Sequence, residues 1–428
     1  MNSMTLKEKW FGQAMGIWLA CLSLPLWAQA PGRDFTFDST SDETDGALSF
    51  TTPGDYIFDP ESFSPALDPD GDGVFHFTTI SIAAGVTLRL KADVMGTRPV
   101  VWLASGDVTI LGEINLNGET GHNIDQMARS AVAGAGGFGG GQGRKPTSAA
   151  TAGNGPGAGM PSEVDGSGKA GGGAGHWTNG GSGEPGPGGK AYGNPYLLPM
   201  FGGSGGAGGG FDSSFPGGGG GAGGGAILIA SSTEIAVEGA IRANGGGGGA
   251  HLNQIFFGGG GGSGGSIRLI APEIYGGGAI QALGGNGTDK GGNGSKGRIR
   301  IEGFRITLTA PTDPSASQAT PGPIFLPPAL QPVKVTSVGG VAVPANPTGG
   351  FFPADLAINE AGLTTVELAA QGIPPGTVVQ LTMWSETGGR MTVDTDPLVG
   401  TLESSTTSVD ISIPSGFSRF FVQAEWTP

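Results

Sequence analysis

The sequence predicts an all-β protein, in which a parallel β-solenoid (β-helix) with glycine-rich inserts precedes an antiparallel β-sandwich. Three observations predict this fold. Short apolar segments recur with the same layout, glycine tracts interrupt them at equivalent places, and a proline-rich stretch separates them from a region of alternating strands. Alternation of apolar and polar residues is the signal of a half-buried strand, and repeats of roughly 20 residues are typical of solenoids.

The repeats align with one another directly. Residues 99–118 (PVVWLASGDVTILGEINLNG) match residues 226–245 (AILIASSTEIAVEGAIRANG) position by position, and residues 266–284 follow with one residue deleted. Residues 75–90 and 298–308 are partial copies. Each copy combines an apolar run, a turn, an alternating strand and a glycine corner. Because one copy cannot bury its inner face alone, we expect the copies to stack around a continuous aliphatic column.

Glycine accounts for 88 of the 428 residues, and most glycines lie between Ala133 and Gly294. Their irregular runs exclude collagen, which needs glycine at every third position. The tracts follow equivalent corners, after Gly118, Gly245 and Gly284. Two interpretations stay open. The tracts are flexible loops, since glycine loses the most entropy on ordering, or they pack as polyglycine helices whose backbones hydrogen-bond to one another.

Residues 1–30 are predicted to be a signal peptide. Lys7 and Lys9 precede a mainly apolar stretch, Ala14–Trp27, which ends in the small residues of Ala28-Gln29-Ala30. The stretch is shorter than the roughly 20 residues that a membrane-spanning helix needs. We therefore expect a secreted or cell-surface protein without a membrane span after removal of the signal. The single cysteine, Cys21, lies in the leader, so the mature chain has no disulfide.

The mature chain is expected to have three parts. Residues 31–310 form the glycine-rich β-solenoid, and residues 311–332, with seven prolines in 22 positions, form an extended linker. Residues 333–428 contain six or seven short alternating segments separated by turn signals, which is typical of an immunoglobulin-like β-sandwich. The predicted strands are 333–338, 364–369, 377–385, 391–394, 407–413 and 419–426.

The formal net charge of −15 argues against nucleic acid as a partner, because no basic patch is available to neutralise phosphates. An acidic surface is compatible with binding of cations and with solubility. The partners that we expect are a polysaccharide or a protein of the cell surface or extracellular matrix.

A metal site is predicted only at Asp68, Asp70 and Asp72. These residues alternate in the string DPDGDG, which matches the opening half of a calcium-binding loop. The twelfth position is Thr79, where such a loop needs a bidentate glutamate. Two interpretations stay open, a weak extracellular calcium site and an acidic turn that leads into the first repeat. The missing glutamate favours the turn, and calcium is the only cofactor that the sequence indicates.

We predict no catalytic residue. The histidines lie tens of residues apart, and the mature chain has neither a cysteine nucleophile nor a nucleophile-elbow motif. The acidic residues Asp107, Glu234 and Glu273 occupy equivalent positions in successive repeats and could stack at one corner. Such a column could act as a carboxylate pair, as in glycosidases, but a solvated ladder of turns is the simpler interpretation.

The motifs VFHFTTISIAAGVTLRL and PVVWLASGDVTILGEI, with GGGGAGGG inserts and the proline-rich step, resemble the uncharacterised secreted glycine-rich β-solenoid proteins of environmental bacteria. The likeness covers most of the mature chain, but that family carries no established activity. In composition, the chain is also similar to the glycine-rich extracellular region of anaplastic lymphoma kinase-type receptors, where glycine helices pack as a bundle. It lacks the cysteines, membrane span and kinase of such receptors.

Three functional hypotheses follow from the sequence. The first is a non-enzymatic secreted or cell-surface structural and adhesion protein, with the solenoid as scaffold and the C-terminal sandwich as docking module. The second is a carbohydrate-active β-helix enzyme or a polysaccharide-binding protein. A third is ice binding by a flat face of glycine helices.

Overall fold

The computed structural model of the protein describes most of the chain from Thr36 onward. The described residues are 36–68, 73–123, 130–143, 150–161, 170–210, 216–250, 257–324, 326, 333–344, 355–359, 361–385 and 389–424. Residues Thr36–Pro428 form one compact unit. In the described chain, regular structure is nearly all β, with one short α-helix, α1 (Ala92–Met95), and a 3₁₀ turn at Pro60–Ser62. The predicted signal peptide lies outside the described residues.

The repeats fold into short strands. In chain order they are β1 (Gly46–Phe50), β2 (Gly54–Ile57), β3 (Val74–Ile82), β4 (Val86–Arg89), β5 (Val100–Ala104), β6 (Val108–Ile110), β7 (Glu113–Asn115), β8 (Ala226–Ser231), β9 (Glu234–Val237), β10 (Ala240–Arg242), β11 (Ser266–Ile270), β12 (Glu273–Gly276), β13 (Ala279–Gln281), β14 (Arg298–Glu302), β15 (Arg305–Leu308) and β16 (Ser317–Ala319). Strand β16 lies within the segment expected to be a linker and pairs with β14.

Each full repeat contributes one strand to each of three parallel ladders. The first ladder is β3-β5-β8-β11-β14-β16, and the second is β3-β6-β9-β12-β15. Both contain the long strand β3, whose N-terminal half pairs with β5 and whose C-terminal half pairs with β6. The two ladders and β1 therefore make one curled, 11-stranded sheet. The third ladder, β2-β4-β7-β10-β13, is a separate 5-stranded parallel sheet.

The register of these sheets confirms the alignment of the repeats. Val108 pairs with Ile235 in the second ladder, and Ile114 pairs with Ile241 in the third. The residue missing from the third copy falls in the turn between β11 and β12. Alternate side chains of all three ladders join one apolar cluster, with Trp102 and Phe58 fully buried and 5.2 Å apart between ring centroids. The predicted aliphatic column is therefore present, with an aromatic group among its earliest strands.

Asparagine side chains link the repeats at the corner that follows the third ladder. The Asn117 side-chain oxygen accepts a hydrogen bond from the backbone N–H of Asn244 at 2.8 Å. The Asn244 oxygen accepts in the same way from Leu283 at 2.7 Å. These bonds satisfy backbone donors where the strands end, which explains why Asn-Gly recurs in the repeats.

The glycine segments hydrogen-bond to one another at every third residue. The amides of Gly203, Gly206 and Gly209 donate at 2.8–2.9 Å to carbonyls spaced equally along residues 218–224, in the antiparallel direction. Residues 218–224 donate at 2.9–3.0 Å to residues 257–263 in the parallel direction, again at every third residue. This interval is typical of an extended helix with three residues per turn, whose backbone groups point outward. We call this arrangement the glycine lattice.

The glycine lattice is closely packed. All residues of 202–210, 217–225 and 257–265 are buried. A Cβ atom built on Gly223 would overlap the carbonyl oxygen of Gly203, so no larger residue fits there. Of the two interpretations that the sequence left open, dense packing describes these segments.

The outer face of the first ladder carries a second buried layer. Apolar residues of β5, β8 and β11 on that face are covered by Phe37, Met200 and Ile324. Within this layer, the Glu302 carboxylate binds the Arg268 guanidinium at 2.9 Å and the Arg300 guanidinium at 2.6 Å. Burial by itself favours the protonated carboxyl, but the two guanidinium groups outweigh it and hold the pKa of Glu302 below its ordinary value.

The C-terminal region folds into antiparallel sheets. Its strands are β17 (Val333–Val338), β18 (Val341–Ala342), β19 (Gly362–Ala370), β20 (Val379–Ser385), β21 (Gly389–Asp394), β22 (Val399–Gly400), β23 (Ser405–Ile413) and β24 (Ser418–Ala424). They form the sheets β18-β17-β19-β23-β22 and β21-β20-β24, whose inner faces share one apolar cluster in a sandwich-like arrangement. Strands β18 and β22, of two residues each, are those that the sequence did not predict.

Candidate functional site

The predicted calcium string is only partly described. The Asp68 carboxylate accepts a hydrogen bond from the backbone N–H of Gly73 at 2.9 Å. The backbone N–H of Asp68 donates to the Asp45 carboxylate at 3.1 Å. Asp70 and Asp72 lie outside the described residues. Among the residues that the structure does describe, no three His, Cys, Asp or Glu side chains come together as a metal site.

The predicted acidic column lies on the outer surface of the second ladder. Glu273 pairs directly with Glu234 in the register of β12 and β9. Asp107 precedes Val108, which pairs with the residue after Glu234, so Asp107 lies in the same row. The next strand places Arg305 at this position. We call these four residues the charged row.

Each carboxylate of the charged row has a neighbour that donates to it. Thr233 donates its hydroxyl to Asp107 at 2.6 Å, and the Tyr275 hydroxyl donates to Glu234 at 2.7 Å. Arg305 lies 3.2 Å from Glu273. The charges are thus balanced or hydrogen-bonded along the row, and the row does not offer an isolated pair of facing carboxylates.

A second outward row runs beside the charged row and carries hydroxyl groups. Sheet register places its members side by side on six parallel strands, in the order Ser49, Ser81, Thr109, Ala236, Tyr275 and Thr307. Adjacent strands in a sheet are roughly 4.8 Å apart, so hydroxyl groups repeat at that interval on this face, with a gap at Ala236. The C-terminal part of the face forms an open depression of about 530 Å³ around Glu234, Glu273, Tyr275 and Arg305.

Tyr275 is the aromatic residue of this depression. Its hydrogen bond to Glu234, followed by burial and the nearby carboxylates, raises the pKa of Tyr275 to about 12. The phenol therefore stays protonated at neutral pH and acts as a hydrogen-bond donor. A proton-transfer catalyst needs a pKa near the working pH, so Tyr275 is suited to contact a ligand and unsuited to general acid–base chemistry.

The sequence did not predict the most perturbed histidine. His176 is buried in the glycine lattice, where its Nδ1 donates to the Gly264 carbonyl at 2.7 Å. Burial is the main cause that lowers the pKa of His176 to about 4. By contrast, His76 lies on β3 beside Asp42, with 3.3 Å between ring nitrogen and carboxylate. His251 lies outside the described residues. No sequence signal distinguishes His176, because its partners come from segments distant in the chain.

No protein-family model, curated protein or solved structure matches the chain. Within the described residues, no helix combines the length and apolar character needed to cross a bilayer.

Proposed function

We propose that the chain is a non-enzymatic structural and adhesion protein of the cell surface or extracellular space. The observation that carries this proposal is the glycine lattice, whose segments begin and end on the β-ladders and bond to one another at every third residue. Ordering a glycine backbone costs about 1–2 kcal/mol per residue in entropy. A chain that fixes so many glycines has a rigid body suited to mechanical support.

We further propose that the three ladders close into a β-solenoid around the shared apolar cluster, and that the glycine segments are polyglycine helices. The support for closure is that successive strands of one repeat enter different ladders and send alternate side chains into the same cluster. The support for the helices is the interval of three residues between hydrogen bonds. Such a body presents regular outer faces.

Export of the protein is part of the proposal. It rests on the charge, apolar stretch and small residues of 1–30, as predicted from the sequence. The C-terminal antiparallel region serves as the docking module, because it carries the exposed apolar side chains Leu363 and Val399, with exposed fractions of 78% and 73%. Its partner is a protein or polysaccharide of the cell surface or matrix.

A polysaccharide-binding or carbohydrate-active role is the alternative. The depression around Tyr275 favours it, since a phenol, carboxylates and a guanidinium on one open face can contact sugar rings and hydroxyl groups. The hydrogen bonds that occupy Asp107 and Glu234 favour binding over hydrolysis.

The two roles are separated by a screen of the mature chain against polysaccharides for binding and for turnover. The scaffold role predicts retention on cell-surface material without release of reducing ends, and the same result for Asp107→Asn and Glu234→Gln. Turnover that either substitution abolishes would contradict the scaffold role. Hydrogen exchange adds a physical test, because amides of residues 203–209 should be as protected as those of the ladders. Rapid exchange of the amides of residues 203–209 would also contradict the scaffold role.

A further inference from the structure

A polar groove lies between the glycine lattice and the sheet β21-β20-β24. Its volume is about 420 Å³, within the range of small-molecule sites. The residues that carry its chemistry are Tyr192, Gly193, Arg298, Gln380, Asp394 and Gln423. None of the functional predictions drawn from the sequence uses this groove, and it is separate from the charged row.

One wall of the groove is a row of planar polar side chains on three adjacent strands. The register of β20 places Gln380 between Asp394 on β21 and Gln423 on β24. Gln380 donates its amide to the Asp394 carboxylate at 3.2 Å. The remaining amide and carboxylate oxygens accept hydrogen bonds, and the Gln423 amide can both donate and accept.

The opposite wall is built by Arg298 and the lattice. The Arg298 guanidinium donates to the carbonyl oxygens of Tyr192 at 3.3 Å and Gly193 at 3.2 Å. These bonds hold the guanidinium against the lattice backbone. Gly193 has a φ of 66°, a left-handed conformation that suits glycine, and this conformation shapes the turn at this wall.

Aromatic contacts next to the groove tie its walls together. Phe421 pairs across the sheet with Thr382, which lines the groove. Its ring packs edge-on against Phe138, with centroids 5.8 Å apart, and lies 6.2 Å from the ring of Phe201. Because both of those phenylalanines flank the glycine lattice, the groove is a preformed space between two anchored surfaces.

We propose that this groove binds a short neutral saccharide of one or two rings. The Asp394 carboxylate and the Arg298 guanidinium balance one another, so the lining carries no net charge to attract an ionic ligand. A row of amide and carboxylate groups offers donors and acceptors together, which matches the neighbouring hydroxyl groups of a sugar. The groove is too polar for an apolar ligand, since burial of these groups without partners is unfavourable.

This inference names a ligand class for the C-terminal region and does not depend on the scaffold role. A rigid body without saccharide binding would leave the scaffold proposal intact. Conversely, rapid exchange of the amides of residues 203–209 would contradict the scaffold, whatever the titration of the groove shows. The two proposals therefore fail in distinguishable ways.

The test is calorimetric titration of the mature chain with cellobiose, maltose, mannobiose and xylobiose, with digalacturonate as the charged comparison. We expect at least one neutral disaccharide to bind, and Gln423→Ala and Asp394→Ala each to weaken it about tenfold, as for loss of one polar contact. Gln371→Ala and Asp410→Ala change the same residue types elsewhere on the C-terminal region and serve as matched controls. The thermal midpoint of each variant shows that it is folded.

Absence of binding by all four neutral disaccharides would overturn the proposal. So would binding that survives both groove substitutions, because the ligand would then lie elsewhere, for example at Tyr275. Preference for digalacturonate would also overturn it, since that result requires a cationic site. Gln423→Glu gives an independent check, because it keeps the size of the side chain and should still weaken binding by removing the amide donor.

Discussion

The ring of His176 stacks on the ring of Tyr192 inside the glycine lattice, with centroids 4.5 Å apart and planes 13° from parallel. The Tyr192 hydroxyl donates to the Gly202 carbonyl at 2.5 Å and accepts from the Ser204 hydroxyl at 3.0 Å. His176 reaches Gly264 on another segment. The two rings therefore join separate glycine segments through side chains, in a region held mainly by backbone hydrogen bonds.

The stability of the protein should fall as the pH drops from about 6.5 to about 4, through His176. In the unfolded chain this histidine takes up a proton near pH 6.5, whereas burial, the main cause, and the nearby Arg298 charge lower its folded pKa to about 4. The unfolded state then binds more protons in this window, so acid favours unfolding by up to about 3 kcal/mol. Urea denaturation at pH 7.5, 5.5 and 4.5 measures the loss.

The control for this prediction compares His176→Gln with His76→Gln. The first substitution should reduce the change in the free energy of unfolding between pH 6.5 and 4, whatever its effect on that free energy at neutral pH. The second removes a histidine of β3 and should leave the His176 contribution in place. If the free energy of unfolding of His176→Gln depends on pH as steeply as that of the unsubstituted protein, His176 does not cause the loss of stability.

Tyr192→Phe should destabilise the protein by about 1–3 kcal/mol. It keeps the ring but removes the hydroxyl, and it leaves the buried carbonyl of Gly202 without that donor. Tyr196→Phe is the matched control, since Tyr196 is 61% exposed and its substitution should change stability little. Equal unfolding midpoints for the two variants would disagree with the buried hydrogen bonds.

Gly223→Ala should lower the stability of the protein strongly, although it adds only one methyl group. The new methyl group would overlap the backbone oxygen of Gly203, which can move only by displacing a whole segment. We expect a cost of about 3 kcal/mol or more. Gly247→Ala is the control within the lattice, because its Cβ would lie 3.3 Å from the Asn286 oxygen. Differential scanning calorimetry should separate the two, and similar midpoints would argue against close packing.

Glu302→Gln should lower the free energy of unfolding by about 3–5 kcal/mol, because it leaves the buried Arg268 and the partly buried Arg300 guanidinium groups without a counter-charge. The comparison is Glu184→Gln, which breaks an exposed pair with Lys290 worth about 0–1 kcal/mol. Chemical denaturation measures both. A loss below about 1 kcal/mol for Glu302→Gln would show that water reaches the buried pair.

The repeats were predictable because their chemistry is local. Apolar residues alternate along each copy, and pairing of like positions in neighbouring copies fixes the register, as Val108 and Ile235 show. The six longer strands of the C-terminal region were found for the same reason. Strands β1 and β2 were not predicted, since Gly46–Phe50 and Gly54–Ile57 lie outside the recognised repeats.

The sites were less predictable. The charged row follows from the alignment of the repeats. The hydrogen bond from the neighbouring Tyr275 to Glu234 depends on the sheet register, which the sequence does not display. The groove at Arg298 needs residues more than 100 positions apart to meet, and no local pattern encodes such a meeting. The burial of His176 could not be predicted either, because no neighbouring residue in the sequence indicates it.

The glycine lattice also has a consequence for the order of folding. Its partners are far apart along the chain, as when Gly171 donates to Gly258 and Gly181 donates to Asn293. Ladder strands such as β5 and β8 also pair across a long loop, but their pairing buries apolar side chains, whereas glycine has no side chain to bury and no local preference to offset the entropy of loop closure. We therefore expect the ladders to assemble first and the glycine segments to pack last. Until then, the newly made chain exposes long cleavable stretches, so its survival among proteases depends on the speed of that final step.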